Sequence, residues 1–287
     1  MSDTAAGLIV ALIAAALYAL AVGLQALEAR RAPREHTLRL SLIGFLTRRP
    51  LWLLGAALGF VGWAAQAVAL SRAPLTLVEP ALAATPVFLL LMAWITIRER
   101  IQVRDVAGLL AVAAGVAGLG FITPPRSDTH AAGARLGILL ALLAAATAAP
   151  LLQRSLSRSR TNLAPIGAGL AYGLVAVATK FAVDDLHARH LLQAVGWIGA
   201  CAAVGLAGVV TEMSALQQRS VTTVAPVVFG LNVVVPVLLA PALAHESWGD
   251  AHAHPRVLVS CLVIVVAGML VVTRSNGVVT LLESSAT

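Results

Sequence analysis

Apolar residues run in long unbroken stretches along this chain, and charged residues fall between the stretches rather than alternating with them. A helix needs roughly 20 apolar residues to cross the hydrocarbon layer of a bilayer. Nine stretches approach that length: residues 5–27, 51–70, 77–97, 105–122, 136–152, 162–183, 191–216, 222–245 and 257–273, here spans I to IX. Their continuous apolarity predicts helices rather than barrel strands, which alternate. Span I is too long for a signal peptide, and Asp3 rather than a basic cluster precedes it. The expected fold class is all-α and polytopic. Between spans I and II, residues 28–50 hold an amphipathic stretch from His36 to Leu46. It is expected to lie along the membrane surface with Leu38, Leu40, Leu42, Ile43 and Phe45 toward lipid.

A longer period is superimposed on these spans. Ala69-Leu70 is followed by Pro80 and Glu99-Arg100, and Ala215-Leu216 by Pro226 and Glu246. The leucine-to-proline interval is ten residues in both copies, and the proline-to-glutamate interval is nineteen, then twenty. Spans II to IV thus match VII to IX, with Gly115 and Gly268 in the last member of each set. Span I, with Tyr18 and Gln25, matches span VI, with Tyr172 and Lys180. With span V as the odd joint, the two copies cross the membrane in opposite directions. The expected organisation is a first unit at 1–122, a linking helix at 123–161 and a second unit at 162–287. Inverted repeats are the architecture of secondary transporters, whose sites lie at the seam near mid-membrane.

Composition agrees with lipid as the main solvent. Hydrophobic residues make up 59% of the chain, charged residues 11%, and mean hydropathy is +0.90. Soluble domains carry about 25% charged residues. The net charge of +7 would suggest nucleic acid in a soluble protein, so the placement of the arginines decides its meaning. With the N-terminus outside, fourteen arginines fall in inner segments and five in outer ones. That asymmetry predicts an external N-terminus and a cytoplasmic C-terminus in the cell membrane, with no nucleic-acid partner. Cys201 and Cys261 lie inside spans, which argues against a disulfide framework.

Gly62 through Gln66, Ala73-Pro74, Pro80, Glu99-Arg100, Gly108 and Gly115 make one group, and Lys180, Ala215-Leu216, Pro226 and Glu246-Ser-Trp248 a second. In these residues the chain resembles the drug/metabolite transporter superfamily with EamA-type repeats. Its spacing is closest to the NIPA-like magnesium transporter branch. Two positions depart from that branch: Trp63 stands where it has a glutamate, and Glu79 where threonine is usual. The resemblance implies transport without carrying magnesium over.

Ionisable groups inside spans cost at least ~2.5 kcal/mol and mark candidate sites. Glu79, before Pro80, reads either as a proton or cation site in an outer vestibule or as a charge complementing a helix N-terminus. Lys180, the single lysine, either snorkels to the interface or pairs with Glu79 or an anionic substrate. Glu212 is a coupling group or the partner of Arg219. Gln66 and Asn232 offer hydrogen bonds at depth, to a solute or to a neighbouring helix. Tyr18, Tyr172 and Trp63 either wall an amphiphile pocket or face lipid. Pro80, Pro86, Pro226, Pro236 and Pro241 mark expected helix breaks, whose carbonyls serve a solute or only packing. Glu99 and Glu246 suit a gating or structural salt bridge. His245, Glu246, Asp250, His252 and His254 crowd one outer loop, as a divalent-metal collector or as solvated side chains.

No hydrolase nucleophile with its base, HExxH helix or phosphate loop occurs. The expectation is a non-enzymatic secondary transporter for a small metabolite or drug-like solute, without cofactor. H+ or Na+ is the candidate coupling ion, and a homodimer is left open. The alternatives are a Mg2+ permease and a non-transporting membrane scaffold.

Overall fold

The computed structural model describes residues 3–32, 39–97, 102–122, 125–130, 133, 137, 140–141, 144–149, 163–218, 221–246 and 255–274. Its elements are α1 (Asp3–Arg31), α2 (Leu40–Leu46), α3 (Pro50–Leu70), α4 (Leu75–Leu82), α5 (Thr85–Ile97), α6 (Val103–Ile122), α7 (Ala164–His187), α8 (Leu191–Gln218), α9 (Val221–Leu243) and α10 (Pro255–Thr273). No strand occurs among the described residues. With α4 and α5 taken as one crossing, eight helices among the described residues are long and apolar enough to span a bilayer. Large apolar side chains such as Phe60, Leu110, Leu192 and Val263 are exposed on the outside, where only lipid solvates them. The chain is an all-helical, multi-pass membrane protein. Of the ninth expected span, 140–141 and 144–149 are helical, and the rest of 136–152 lies largely outside the described residues.

Span III is divided, and its sequence explains where. Pro80 and Pro86 each lack an N–H, and α4 ends at Leu82 between them. The Leu82 carbonyl would bond the amide of residue 86, which is proline. Instead the Thr85 hydroxyl donates to it at 2.7 Å. Ala83 N–H and Ala84 N–H donate to Pro80 and Ala81 in tight turns, and α5 then starts at Thr85. α9 behaves differently, for it runs on through Pro226, Pro236 and Pro241. The breaks expected at those three prolines are therefore corrected to missing hydrogen bonds inside a continuous helix.

Small residues set the packing. α1 and α3 run antiparallel, Gly7 against Ala69 and Ala73 at one end and Gly55 against Gln25 at the other. α7 and α8 are likewise antiparallel, with Gly208 on Tyr172 and Gly205 near Val175. α7 and α9 run parallel, Gly169 meeting Leu231 and Gly173 meeting Val235. α6 and α10 cross backbone to backbone at Gly108 and Gly268. Spans 75–92 and 164–187 are the most enclosed, each 78% buried, so α4 with the start of α5, and α7, form the interior. In α2, Leu42 and Leu46 are fully buried in a cluster with Met213 and Leu216 of α8. This corrects the expectation that Leu42 faces lipid: a seven-residue helix buries its apolar side against the bundle.

The α6–α10 crossing has no room for a methyl group. A Cβ on Gly268 would lie 2.7 Å from the Gly108 carbonyl oxygen and 2.9 Å from Val112 N. Gly268→Ala is expected to push the helices apart at a cost of about 1–3 kcal/mol and to lower the thermal unfolding midpoint in detergent. Gly120→Ala, where nothing lies within 4 Å, should leave the midpoint unchanged or raise it.

Candidate functional site

A cavity of ≈ 440 Å³ opens where α1, α3, α7, α8 and α9 converge on the α4–α5 break. Its wall carries Tyr18, Trp52, Phe60, Trp63, Tyr172 and Phe229, which include both tyrosines of the chain. Gln25, Gln66, Thr85, Cys201 and Asn232 add polar or polarisable atoms. Among the described residues, Glu212 is the one carboxyl lining the space, and no lysine or arginine lines it. Small residues Ala21, Ala56, Gly59, Ala202 and Gly205 make the room. Leu82, Ala83 and Thr85, at the helix break, close one side.

Two tyrosine contacts frame the cavity. Tyr18 of α1 donates to Gln66 Oε1 of α3 at 2.7 Å. Tyr172 of α7 donates to Glu212 Oε2 of α8 at 2.5 Å. In each case a glycine four residues earlier admits the ring: a Cβ on Gly62 would fall 3.2 Å from Tyr18, and one on Gly208 3.0 Å from Tyr172. Trp63 ties α3 to α7 through Nε1–H donation to Thr179 Oγ1 at 2.8 Å, and the Thr179 hydroxyl in turn donates a hydrogen bond to the Val175 carbonyl. Tyr18, Tyr172, Trp63, Gln66, Glu212 and Asn232 thus meet at one cavity. Tyrosine is the partner Glu212 has here, and Arg219 lies outside the described residues.

Glu79 is elsewhere than an outer vestibule. It is fully buried one layer behind the cavity wall, accepting from Gln66 Nε2 at 2.7 Å. Pro80 follows it inside α4.

Lys180 belongs to a separate polar clasp at the end of the bundle where α3 stops and α4 starts. Its ammonium contacts Asp184 Oδ1 at 2.5 Å and Oδ2 at 2.7 Å, and donates to the Ser127 carbonyl at 2.5 Å. Pairing with Glu79 and snorkelling are both replaced by this internal bridge, because Asp184 stands one helical turn away. Arg126 reaches Asp184 at 3.2 Å, the Leu70 carbonyl at 2.7 Å, and Asp128. His130 stacks on Phe181 with centroids 4.3 Å apart and approaches Asp185 at 3.4 Å. Residues 125–130 are therefore strapped across α7, and the side chains holding them lie between the cavity and that end.

Glu246 caps a helix. Its two oxygens accept from the backbone N–H groups of Leu75 at 2.7 Å and Thr76 at 2.9 Å, the first turn of α4. Burial pushes its carboxyl up from the usual glutamate range, and the Thr76 and Leu75 donors pull it back. His245 adopts a left-handed φ of 52° and meets Thr129 Oγ1 at 3.2 Å. Asp250, His252 and His254 lie outside the described residues, as does Glu99. Among the described residues no group of three metal-ligating side chains converges.

Asp184, Thr179 and Arg126 were not singled out from the sequence. Asp184 was within reach, being four residues from the single lysine on one helix face. Arg126 and Thr179 carry no local signal, since their partners are 58 and 116 residues away. No family model, curated protein or solved structure matches the chain.

Lys180 and Asp184 side chains are 0% and 1% exposed, so removing one strands the other. Lys180→Met is expected to cost near the low end of the about 3–5 kcal/mol typical of breaking a buried pair, since Arg126 still serves Asp184. The Lys180→Met, Asp184→Asn double variant should recover part of the lost thermal stability. Equal loss in single and double variants would contradict the pairing.

Proposed function

We propose that the protein is a secondary transporter that carries a small amphiphilic solute, of the organic-cation class, through the cavity by alternating access. The observation that carries this reading is a cavity walled, among the described residues, by six aromatic rings with one carboxyl, Glu212, and no cationic side chain. Aromatic faces attract organic cations, and a carboxyl shielded from water supplies the counter-charge. A volume of ≈ 440 Å³ suits one small molecule.

The inverted-repeat organisation supports the mechanism. α1 with α3 and α7 with α8 are antiparallel pairs, each carrying a tyrosine that bonds a Gln or Glu four residues after a glycine. Between the two copies, Gly62, Gln66, Ala69 and Leu70 correspond in spacing to Gly208, Glu212, Ala215 and Leu216. We read these as units of opposite orientation, as in the drug/metabolite transporter superfamily, with residues 1–122 and 162–287 rocking about the cavity. The clasp of Lys180, Asp184 and Arg126 then serves as the closed gate on one side. With the N-terminus placed outside by the arginine distribution, that side is external. The magnesium reading gains less from the site, since Glu246 spends both oxygens on backbone N–H groups.

Proteoliposomes loaded against tetraphenylphosphonium, magnesium and amino acids discriminate these readings. Tetraphenylphosphonium uptake is expected, reduced at least about tenfold by Glu212→Gln, which corresponds to losing one charge-assisted contact, and less by Tyr172→Phe. Uptake indifferent to Glu212→Gln would exclude the cavity as the route, and magnesium uptake alone would favour the permease.

A further inference from the structure

Among the described residues, Glu79 is the one buried acidic side chain, besides Glu212, that no arginine, clasp contact or helix cap engages. It is 0% exposed. One oxygen, Oε1, accepts from Gln66, while Oε2 is buried with no donor among the described residues. Gln66 in turn lines the cavity and is held by Tyr18, which lines it too. A carboxylate oxygen shut away from water without a donor is costly, and a proton on that oxygen removes the charge.

Among the described residues, the elements packed on α4 offer no cation in its place. From α1 the titratable group facing Glu79 is Tyr18, and α3 contributes only the amide of Gln66. α9 has no titratable side chain. α6 holds Arg104 and Asp105 in its first turn, and α10 holds Arg256 and Cys261. On α7, Lys180 is bound to Asp184, Tyr172 faces Glu212, and Asp185 and His187 sit in the last turn. Glu246, at the start of α4, is itself acidic.

The geometry points to Glu79 as a proton-binding site separate from the solute carboxyl Glu212 and joined to the cavity wall by Gln66 and Tyr18. A proton from solvent hydronium, whose O–H bond breaks to leave water, forms an O–H bond at Oε2, and the reverse transfer to water returns it. Turning the Tyr18 ring to admit a solute frees Gln66 to move, and with it the donor on Oε1. Protonation of Glu79 and occupancy of the cavity are thereby linked, each biasing the other. The link rests on the cavity being the solute site; the proton site itself does not.

Infrared difference spectroscopy of the purified full chain, titrated with pH in lipid, tests the site without any solute. A carboxylic-acid C=O band that titrates with pH is expected in the wild type and in Glu212→Gln, and its loss, about one proton per molecule, in Glu79→Gln. If Glu79→Gln does not fold, Gln66→Leu serves instead, since removing the donor on Oε1 should shift the frequency and midpoint of that band. An unchanged band in Glu79→Gln, or in Gln66→Leu where that variant is needed, overturns the assignment. Tetraphenylphosphonium is then added to the wild type and to Glu79→Gln. A change in the Glu79 band on binding supports the link, and binding without such a change overturns it. If the cation does not bind at all, the organic-cation reading and the link fall together, while the proton site is judged on the pH titration alone.

Discussion

Inside a bilayer no water is present to satisfy backbone amides, so every departure from continuous helix must find its partners within the protein. The divided helix α4–α5 is where this constraint presses hardest, in one of the two most enclosed spans. Each exposed end is met. Glu246 takes the Leu75 and Thr76 N–H groups, and the Thr85 hydroxyl takes the Leu82 carbonyl that Pro86 cannot serve. Because the ends are satisfied, the chain can bend at residues 83–84 without a large penalty. That bend faces the cavity, so the same break that demands capping also shapes the site.

α7 connects the cavity to the clasp. Tyr172 and Val175 stand in the cavity wall, and Lys180 and Asp184 hold loop 125–130 two turns further along the same helix. Between them Thr179 receives Trp63 of α3. A rotation or shift of α7 therefore cannot alter the aromatic wall without also straining the ion pairs that hold the strap. Packing through Gly169 and Gly173 against α9 leaves such a shift little slack except as a movement of α7 and α9 together.

Much of this was legible before any coordinates. Continuous apolar runs placed the eight described spans to within a few residues, because hydrocarbon thickness fixes their length. Pro86 marks the division of span III, since its missing N–H leaves the Leu82 carbonyl without a ladder donor, whereas α4 runs on through Pro80, correcting the break expected there. Polar and aromatic residues in apolar runs pointed to Tyr18, Trp63, Gln66, Tyr172, Glu212 and Asn232, which share one cavity. Partners chosen by chemistry alone fared less well. Lys180 reads as snorkelling or as pairing with Glu79 or an anionic substrate, yet its partner is Asp184, four residues away; Glu246 reads as a gating or structural salt bridge and instead caps backbone. The reason is physical: a cap on another helix is set by three-dimensional approach, and Glu246 lies 171 residues from Leu75, beyond any periodic signal. α9 shows the converse, three prolines that sequence rules read as breaks and that the surrounding helices hold in line.

The separation between Glu246 and the helix it caps also bears on biogenesis. When α4 leaves the ribosome, the acceptor for its first turn will not be synthesised for another 170 residues. Until α9 has been inserted and the chain beyond it turns back, the Leu75 and Thr76 amides must rely on lipid headgroups, water or the insertion machinery. The first turn of α4 is thus made early and capped only once α9 is in place, so the finished capping pair marks that α9 has joined the first half of the chain.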